Sequence, residues 1–378
     1  MEEATRRTQY TIERSLYLAF ELSAAKWKLG FSTGLGQNPR RRTVDAGELL
    51  TLRQEIEMAK RRFGLAAEAP VRSCYEAGRD GFWLHRYLLE QEVENLVVDS
   101  SSIQVDRRAR RAKTDGIDVG KLLNMLIRYH SGEEKVWRVV HVPSVEAEDM
   151  RHLHRQLRTF KVDRTRYICR IKGLLATQGL SVPIHVDFLD TLVAARTWDG
   201  APLPPGLRAR VAREYASLRY VERQIKALET ERDELIETSK HPSIEKVRQL
   251  MKLRAIGPNS AWLFVMEFFG WRQFRNRREV GALSGLTPTP YQSGEESREQ
   301  GISKAGNRPV RAMAIEIAWC WLRYQPDSEL SLWFYEKFGK GGKRMRKVGI
   351  VALARKLLVA FWRYLEMGEI PAGAQLKP

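Results

Sequence analysis

The stretch Leu-Tyr-Leu-Ala-Phe-Glu-Leu at residues 16–22 carries the pattern that decides the fold of this chain. Leu16, Leu18 and Phe20 occupy every second position, and polar or small residues fill the positions between them. A period of two is typical of a β-strand with one apolar face. The stretch therefore predicts a strand within a sheet, and the segments that follow indicate which kind of sheet.

These following segments predict an alternating series of elements. Apolar patterns predict strands at 26–31, 42–44, 71–75 and 96–99, helices at 49–63 and 82–89, and a third helix that begins near Asp115. The order is three strands, helix, strand, helix, strand, helix. This is the order of an RNase H-like fold, and we expect an α/β domain of that kind at residues 1–140.

Acidic residues fall at particular places in this order. Glu21 is near the end of the first strand, Glu76 follows the strand at 71–75, and Asp115 and Asp118 begin the third helix on one face. Acids are also common at helix starts because they favour the helix dipole, and Glu21 fits a solvent-facing strand position. Their joint placement favours the other interpretation, a site where carboxylates hold divalent cations.

Charge sets the class of partner. The chain carries a formal net charge of +18 at pH 7, which favours polyanions such as nucleic acid. Two basic clusters are predicted to contact a nucleic-acid backbone, and the alternatives are a solvated loop and a helix flank. Their members are Arg107, Arg108, Arg110, Arg111 and Lys113 in the first, and Lys343, Arg344, Arg346 and Lys347 in the second.

Composition excludes several classes of protein. There is no run of eighteen apolar residues and no apolar secretory signal at the N-terminus, so we expect a soluble, cytoplasmic protein without a membrane partner. The three cysteines lie far apart, which indicates neither disulfides nor a zinc site. His152 and His154 lack a zinc-ligand spacing and are predicted to be surface or RNA-facing residues.

Residues 141–240 predict a helical, coiled-coil region. Apolar residues recur at steps of three and four within 153–174 and within 207–235, and the prolines of 181–206 separate the two stretches. The apolar stripes need a partner helix, either from the same chain or from another protomer.

Residues 241–378 predict a mainly helical domain. The phrase at 253–261 resembles a helix-hairpin-helix, whose backbone amides can contact phosphates. Three further phrases follow: Gly-Leu-Thr-Pro at 285–288, a polar loop at 291–297 that contains Ser293, and Gly-Ile-Ser-Lys-Ala-Gly-Asn at 301–307.

The acids in the order Glu, Glu, Asp, Asp, together with these phrases, resemble the DEDD transposases of bacterial insertion sequences, also called bridge-RNA-guided recombinases. The resemblance extends from about Leu16 to Leu365. The family pattern has aspartate as the first acid, whereas this chain has Glu21, which offers the same two carboxylate oxygens one methylene further out.

The resemblance implies a RuvC-like domain joined by a coiled coil to a helical transposase domain with a nucleophilic serine. The motif assigns this role to Ser293. Without the resemblance, a serine before glycine is more typical of a turn or a helix cap. It implies phosphoserine chemistry, with Glu21, Glu76, Asp115 and Asp118 holding Mg²⁺, two ions in such sites. It also implies donor and target DNA, a structured guide RNA, and homodimers that pair into tetramers. Lys304, Arg308 and Arg311 are further predicted nucleic-acid contacts.

Two other functions fit the same residues. The first is a metal-dependent Holliday-junction-type nuclease in which the acids activate water and Ser293 is structural. The second is a non-catalytic RNA-binding scaffold in which Glu21 marks the decay of a former site.

Overall fold

The computed structural model of the chain describes residues 14–103, 115–293 and 296–377. Within these ranges the side chains of residues 101, 115–118, 134, 291–293 and 296–299 are not described. The chain forms two compact units, one up to Val142 and one from Pro143 onward. The three-domain division stays a prediction.

The first unit contains the predicted order of strands and helices. One five-stranded sheet has the order β3-β2-β1-β4-β5. Strand β2 is antiparallel to β1 and β3, whereas β4 is parallel to both β1 and β5. The elements are β1 (Leu16–Leu22), β2 (Lys26–Ser32), β3 (Arg40–Asp45), α1 (Leu49–Arg62), β4 (Val71–Glu76), α2 (Trp83–Glu90), β5 (Val93–Val98) and α3 (Asp115–His130).

The two faces of this sheet pack against different helices. Leu16, Leu18 and Phe20 lie on one face, in a core that also contains side chains of α1 and α2. Ala19 and Cys74 lie on the other face and are buried against α3. Alternate side chains of β1 therefore lie in two different cores, one on each face of the sheet, because successive side chains of a strand point to opposite faces. We call the second face the α3 face.

Helix α3 runs antiparallel to β1. At its C-terminal end the ring of His130 lies 6.0 Å from that of Tyr17, near the start of β1. Nearer its N-terminus, Val119 lies over Gly30, which is the cross-strand partner of Ala19. The N-terminal end of α3 is thus the end nearer to Glu21, which lies near the C-terminal end of β1.

The second unit begins with two long helices, α4 (Val145–Ala176) and α6 (Pro205–Thr238), joined by a segment that contains α5 (Phe188–Ala194). They pack antiparallel within one chain. Ion pairs join Arg170 to Glu214 and Lys161 to Glu229, and Leu157 contributes to a shared apolar core. Of the two pairings left open by the sequence, the described residues thus form the intrachain one. We call α4 and α6 the arms.

The remainder of the second unit is a helical bundle with one β-hairpin. Its large apolar core contains Trp262, Phe268, Trp321 and Phe361. The polar loop predicted at 291–297 was wrong, because residues on both sides of 294–295 pair as strands. The elements are α7 (Pro242–Met251), α8 (Pro258–Phe264), a π-helical turn (Val265–Phe269), α9 (Arg277–Ser284), β6 (Pro288–Ser293), β7 (Glu296–Ile302), α10 (Arg308–Tyr324), α11 (Glu329–Phe338) and α12 (Lys343–Met367).

None of the helices in the described part of the chain combines the length and the apolar character needed to cross a membrane.

Candidate functional site

Glu21 and Glu76 occupy neighbouring positions on two adjacent parallel strands. The register pairs Ala19 with Cys74 and Phe20 with Tyr75, so the next position on each strand is a glutamate. Side chains alternate along a strand, and Ala19 and Cys74 lie on the α3 face, so both glutamates also belong to that face. Glu76 is exposed and Glu21 is partly exposed. The sequence placed these two acids at strand ends, and the register brings them side by side.

The first turn of α3 is directed toward the same edge of the sheet. Val119 lies level with Ala19, and Asp115 is four residues earlier in the helix, about 6 Å along its axis. Glu21 is two residues beyond Ala19, about 7 Å along the strand. The backbone of 115–118 therefore reaches the level of Glu21.

Gly30 is the residue that lets α3 approach the sheet this closely. A Cβ at this position would overlap Cγ1 of Val119. On strand β4, which lies on the other side of β1, the Cys74 thiol donates to the Leu122 carbonyl oxygen at 3.8 Å. Burial raises the pKa of that thiol, so Cys74 is an inert core residue. The helix that carries Asp115 and Asp118 is thus seated directly on β2 and β4.

The donors at this edge fit a hard divalent cation. Glu21 and Glu76 supply carboxylate oxygens, the ligand type that Mg²⁺ prefers. Among the described residues no group of three or more His, Cys, Asp or Glu side chains forms a metal cluster. The side chains of Asp115 and Asp118 are not among those described, so the four-residue metal site stays a prediction.

The two predicted basic clusters differ in what can be described. The cluster at 107–113 lies outside the described residues. The cluster at 343–347 is exposed and forms the first turn and a half of α12, so it belongs to the helix itself rather than to a flank before it. That turn contains no acidic residue, and its N-cap Gly342 has no side chain to satisfy the free amides. Four cations there oppose the helix dipole, which favours an anionic partner.

In the second unit, two of the glycine phrases interlock. Gly285 ends α9 with φ of +70°, and a Cβ there would overlap the carbonyl oxygen of Ala305. Gly306 has φ of +97°, and a Cβ there would overlap the carbonyl oxygen of Leu283. Backbone bonds join the two segments, from Lys304 N to Gly285 O at 3.1 Å and from Asn307 N to Leu283 O at 2.9 Å. Only glycine allows this contact of backbone against backbone.

The β6–β7 hairpin projects from these interlocked loops. Pro288 pairs with Ile302 at its base, and Ser293 pairs with Glu296 at its far end. Ser293 is five positions beyond Pro288 in a strand that is irregular near its base, so it lies at most about 17 Å from the base along the strand. The backbone of the predicted nucleophile is therefore the last position of a strand, next to the two-residue connection 294–295.

The predicted cations of this region have different environments. Lys304 is exposed with φ of +56°, and Arg308 is exposed at the first position of α10. Arg311 instead packs over Gly285 and donates from Nη1 to the Ser284 carbonyl oxygen at 3.1 Å. Arg311 therefore stabilises the interlocked loops whatever else it binds.

The helix-hairpin-helix phrase forms the turn between α7 and α8, but much of its backbone is already used. The amide of Arg254 donates to Gln375 O at 3.2 Å, that of Ile256 to Leu253 O at 3.2 Å, and that of Gly257 to Ser260 Oγ at 3.1 Å. The tail residue Lys377 in turn donates to Lys252 O at 2.7 Å. These three amides are already bonded within the protein, and a phosphate contact through the other amides of the phrase stays a prediction.

An ionic cluster around the buried Glu267 joins α4 to the bundle, and the sequence did not reveal it. Glu267, in the π-helical turn, accepts from Arg155 Nε at 2.7 Å and Nη2 at 3.1 Å, and Arg151 Nε lies 3.7 Å away. Burial is the largest single influence on the pKa of Glu267 and raises it, but the hydrogen bonds from Arg155 together with the charges of Arg155, Arg151 and His154 outweigh burial and hold that pKa below its ordinary value. The partners are 112 positions apart, so no local pattern in the sequence could indicate their contact.

His154 belongs to the same region and contradicts the prediction made for it. It is 5% exposed, so it is a core residue rather than a surface or RNA-facing one. Burial lowers its pKa to about 4, from an ordinary value of 6.5. His152, two positions earlier, is exposed.

Comparisons with known proteins bear on both units. A model described as "Transposase IS116/IS110/IS902 family" matches residues 247–331, the range that contains the interlocked loops and the hairpin. The chain is 41% identical to "Putative transposase y4rJ" of Sinorhizobium fredii, over 96% of this chain and 95% of the relative. It is 25% identical to "Transposase for insertion sequence element IS1328" of Yersinia enterocolitica, over 61% of this chain and 68% of the relative.

Proposed function

Since the chain belongs to the IS116/IS110/IS902 family of transposases, we propose that it cuts and rejoins DNA through a covalent link to Ser293, with metal ions held by its acidic residues. The observation that carries the metal part is the placement of Glu21 and Glu76 side by side on the α3 face, with the first turn of α3 directed to the same edge. The strand order and these acid positions also support an RNase H-like, RuvC-like assignment of the first unit.

In this proposal Glu21, Glu76, Asp115 and Asp118 hold Mg²⁺, two ions in the usual form of such sites. Divalent cations bound there supply positive charge to a phosphate and lower the cost of deprotonating a hydroxyl group. Glu21 keeps both carboxylate oxygens that an aspartate would offer, on a side chain one methylene longer, and its strand position lies next to that of Glu76.

Ser293 acts as the nucleophile. Its Oγ attacks a DNA phosphorus, its hydroxyl proton passes to a base, a new Oγ–P bond forms, and one deoxyribose oxygen leaves and takes up a proton. The phosphodiester energy is retained in the serine ester. A deoxyribose hydroxyl of another strand can therefore attack this ester, release Ser293 and rejoin the DNA without ATP.

The exposed cations Lys304, Arg308, Lys343, Arg344, Arg346 and Lys347 are proposed to contact the nucleic-acid backbone of donor and target DNA. The resemblance also supports a structured guide RNA, and dimers that pair into tetramers. Backbone recognition of this kind leaves the sequence to be read by the RNA. A cytoplasmic location accords with these partners.

The Ser293→Ala variant tests the covalent step. We expect it to bind the co-purifying RNA as the wild type does and to form no protein–DNA adduct with donor and target duplexes in Mg²⁺. Ser297→Ala is the matched control, because Ser297 lies in the facing strand of the same hairpin and should leave adducts intact. Recombination by Ser293→Ala would assign the nucleophile to another residue.

A metal-dependent nuclease is the second candidate, favoured by the fact that Glu21, Glu76 and α3 lie in one compact unit that does not include Ser293. Such an enzyme cuts DNA with water and leaves no adduct. Cleavage that needs Asp115 but survives Ser293→Ala would favour the nuclease. RNA binding that is insensitive to both changes, without cleavage by the wild type, would favour a scaffold.

A further inference from the structure

Two cations flank the acidic positions on one side of the sheet. Glu21 and Glu76 lie on β1 and β4, and the neighbouring strands β2 and β3 carry Lys28 and Arg41. Neither cation belongs to the basic clusters at 107–113 and 343–347. Their positions in the register place both of them on the α3 face.

Lys28 is the direct cross-strand partner of Glu21. Its neighbours Trp27 and Leu29 are buried in the opposite core, with α1 and α2, so Lys28 points to the α3 face. It is partly exposed. Cross-strand partners in an antiparallel pair have Cβ atoms about 5 Å apart, so the stem of Lys28 starts beside that of Glu21.

Arg41 lies one strand further out. It is the cross-strand partner of Gly30, the residue against which Val119 of α3 packs, and this fixes Arg41 on the α3 face. Its Nη2 lies 3.7 Å from the position that a Cβ on Gly120 would take, two residues after Asp118. Arg41 is exposed and forms no ion pair with a carboxylate among the described residues.

Neighbouring arginines on the same strand behave differently. Arg40 is buried, and its Nη2 lies 2.5 Å from Glu55. Arg42 Nε lies 3.5 Å from the same carboxylate, on the face opposite to Arg41. Arg41, which lies between these two arginines in the strand, is therefore in a different environment, beside the start of α3.

We propose that Lys28 and Arg41 form a phosphate-binding pair that holds the DNA backbone where it enters the acidic site across β2 and β3. This rests on the proposed function, because it assumes that the acids act on a phosphodiester. The four acids alone would repel a polyanion, and metal ions offset only the charge at the phosphate being attacked. A lysine and an arginine on one side supply donors for the adjoining phosphates, and a guanidinium can bind phosphate through two N–H groups. Lys28 and Arg41 are therefore positioning residues.

The test compares Lys28→Gln and Arg41→Gln with Arg42→Gln in the full-length protein carrying its co-purified RNA. Arg42→Gln is the matched control, since it removes the same charge from the adjacent position of the same strand on the other face. Binding of a fluorescent duplex that carries the end of the encoding insertion sequence is measured over a series of salt concentrations. Adduct formation is measured in parallel as a function of duplex concentration.

We expect Lys28→Gln and Arg41→Gln each to lower the slope of log affinity against log salt by about 1, as the loss of one phosphate contact does, while Arg42→Gln keeps the wild-type slope. The duplex concentration for half-maximal adduct formation should rise about tenfold in each of the two variants. Arg41→Lys should restore the slope, which a packing role would not explain.

Wild-type slopes in both Lys28→Gln and Arg41→Gln would overturn the phosphate-binding pair, whether or not adducts form. Absence of adducts in the wild type would overturn the serine chemistry instead, and the salt slopes would still decide on the pair. A slope that falls equally in Arg42→Gln would also overturn the proposal, because the effect would then be one of net charge.

Discussion

Replacing Gly30 by alanine should loosen the seat of α3 on the sheet. The added Cβ would overlap Cγ1 of Val119, and overpacking of this kind costs about 1–3 kcal/mol. Alanine in place of glycine within a strand offsets about 0.5–1 kcal/mol of that cost. The expected net loss is about 1–2 kcal/mol of opening free energy in the first unit.

Val119→Ala provides the second arm of a double-mutant cycle. Alone it removes two buried methyl groups and should cost about 2 kcal/mol. Combined with Gly30→Ala it leaves room for the new Cβ, so the double variant should be at least about 1 kcal/mol more stable than the sum of the single effects. Gly34→Ala is the control, because its Cβ would have its nearest neighbour at 3.9 Å.

Amide hydrogen exchange of β2 and α3 in the full-length chain measures these effects locally, without interference from the second unit. A shift of α3 would also displace 115–118 from Glu21, so adduct formation should fall in Gly30→Ala and recover in the double variant. Unchanged protection of α3 in Gly30→Ala, or a double variant no better than the sum, would refute the close seating of α3.

Three further predictions concern the second unit. Glu267→Ala leaves two arginines without their carboxylate and should destabilise the unit by about 2–3 kcal/mol in urea unfolding, less than for a fully buried pair because the Arg155 side chain is 48% exposed. A loss below about 0.5 kcal/mol would contradict a structural role for the ion pair. His154 has a folded pKa of about 4, below the unfolded value of 6.5, so the unfolded chain binds its proton first and stability falls as pH drops from 6.5 to 4, by about 3 kcal/mol in total. The free energy of unfolding, measured in urea, should therefore change less with pH in His154→Gln than in the wild type. An equal pH dependence in both proteins would show that His154 is not buried. Gly285→Ala should abolish the exchange protection of β6 and β7 and lower adduct formation more than tenfold, because φ strain of about 1–2 kcal/mol adds to the overlap with Ala305. Gly301→Ala, with φ of +88° but no atom within 4 Å of its Cβ, should show the strain alone, and equal effects of the two changes would refute the interlock.

Part of this structure was predictable from regular spacing of apolar residues. The strands and helices of the first unit were predicted from the period of two in residues 16–22 and from the order of the later segments. The steps of three and four in 153–174 and 207–235 gave the arms, though not their pairing within one chain, since either partner would cover the same stripes. Strand ends also placed Glu21 and Glu76 near each other, but only the register makes them adjacent.

The hairpin and the ionic cluster could not be read from local patterns. Strand β6 contains Pro288 and Pro290, which argue against a strand, and its residues show no apolar alternation. Its structure depends on the interlocked loops at its base. Glu267 and Arg155 meet only in the folded chain, so neither looked different from a surface charge in the sequence. The start of α12 was missed because four cations in a first turn are unfavourable for a helix alone.

The register of the β6–β7 hairpin also restricts how this part of the gene can change length. Deleting or inserting one residue between Pro290 and Ser293, where the ladder is regular, would turn Ser293 to the opposite side of the ribbon as well as change its reach by about 3 Å. Adding two residues to each strand would keep its side and extend the reach by about 7 Å. Functional length variants of this segment should therefore differ by even numbers of residues per strand.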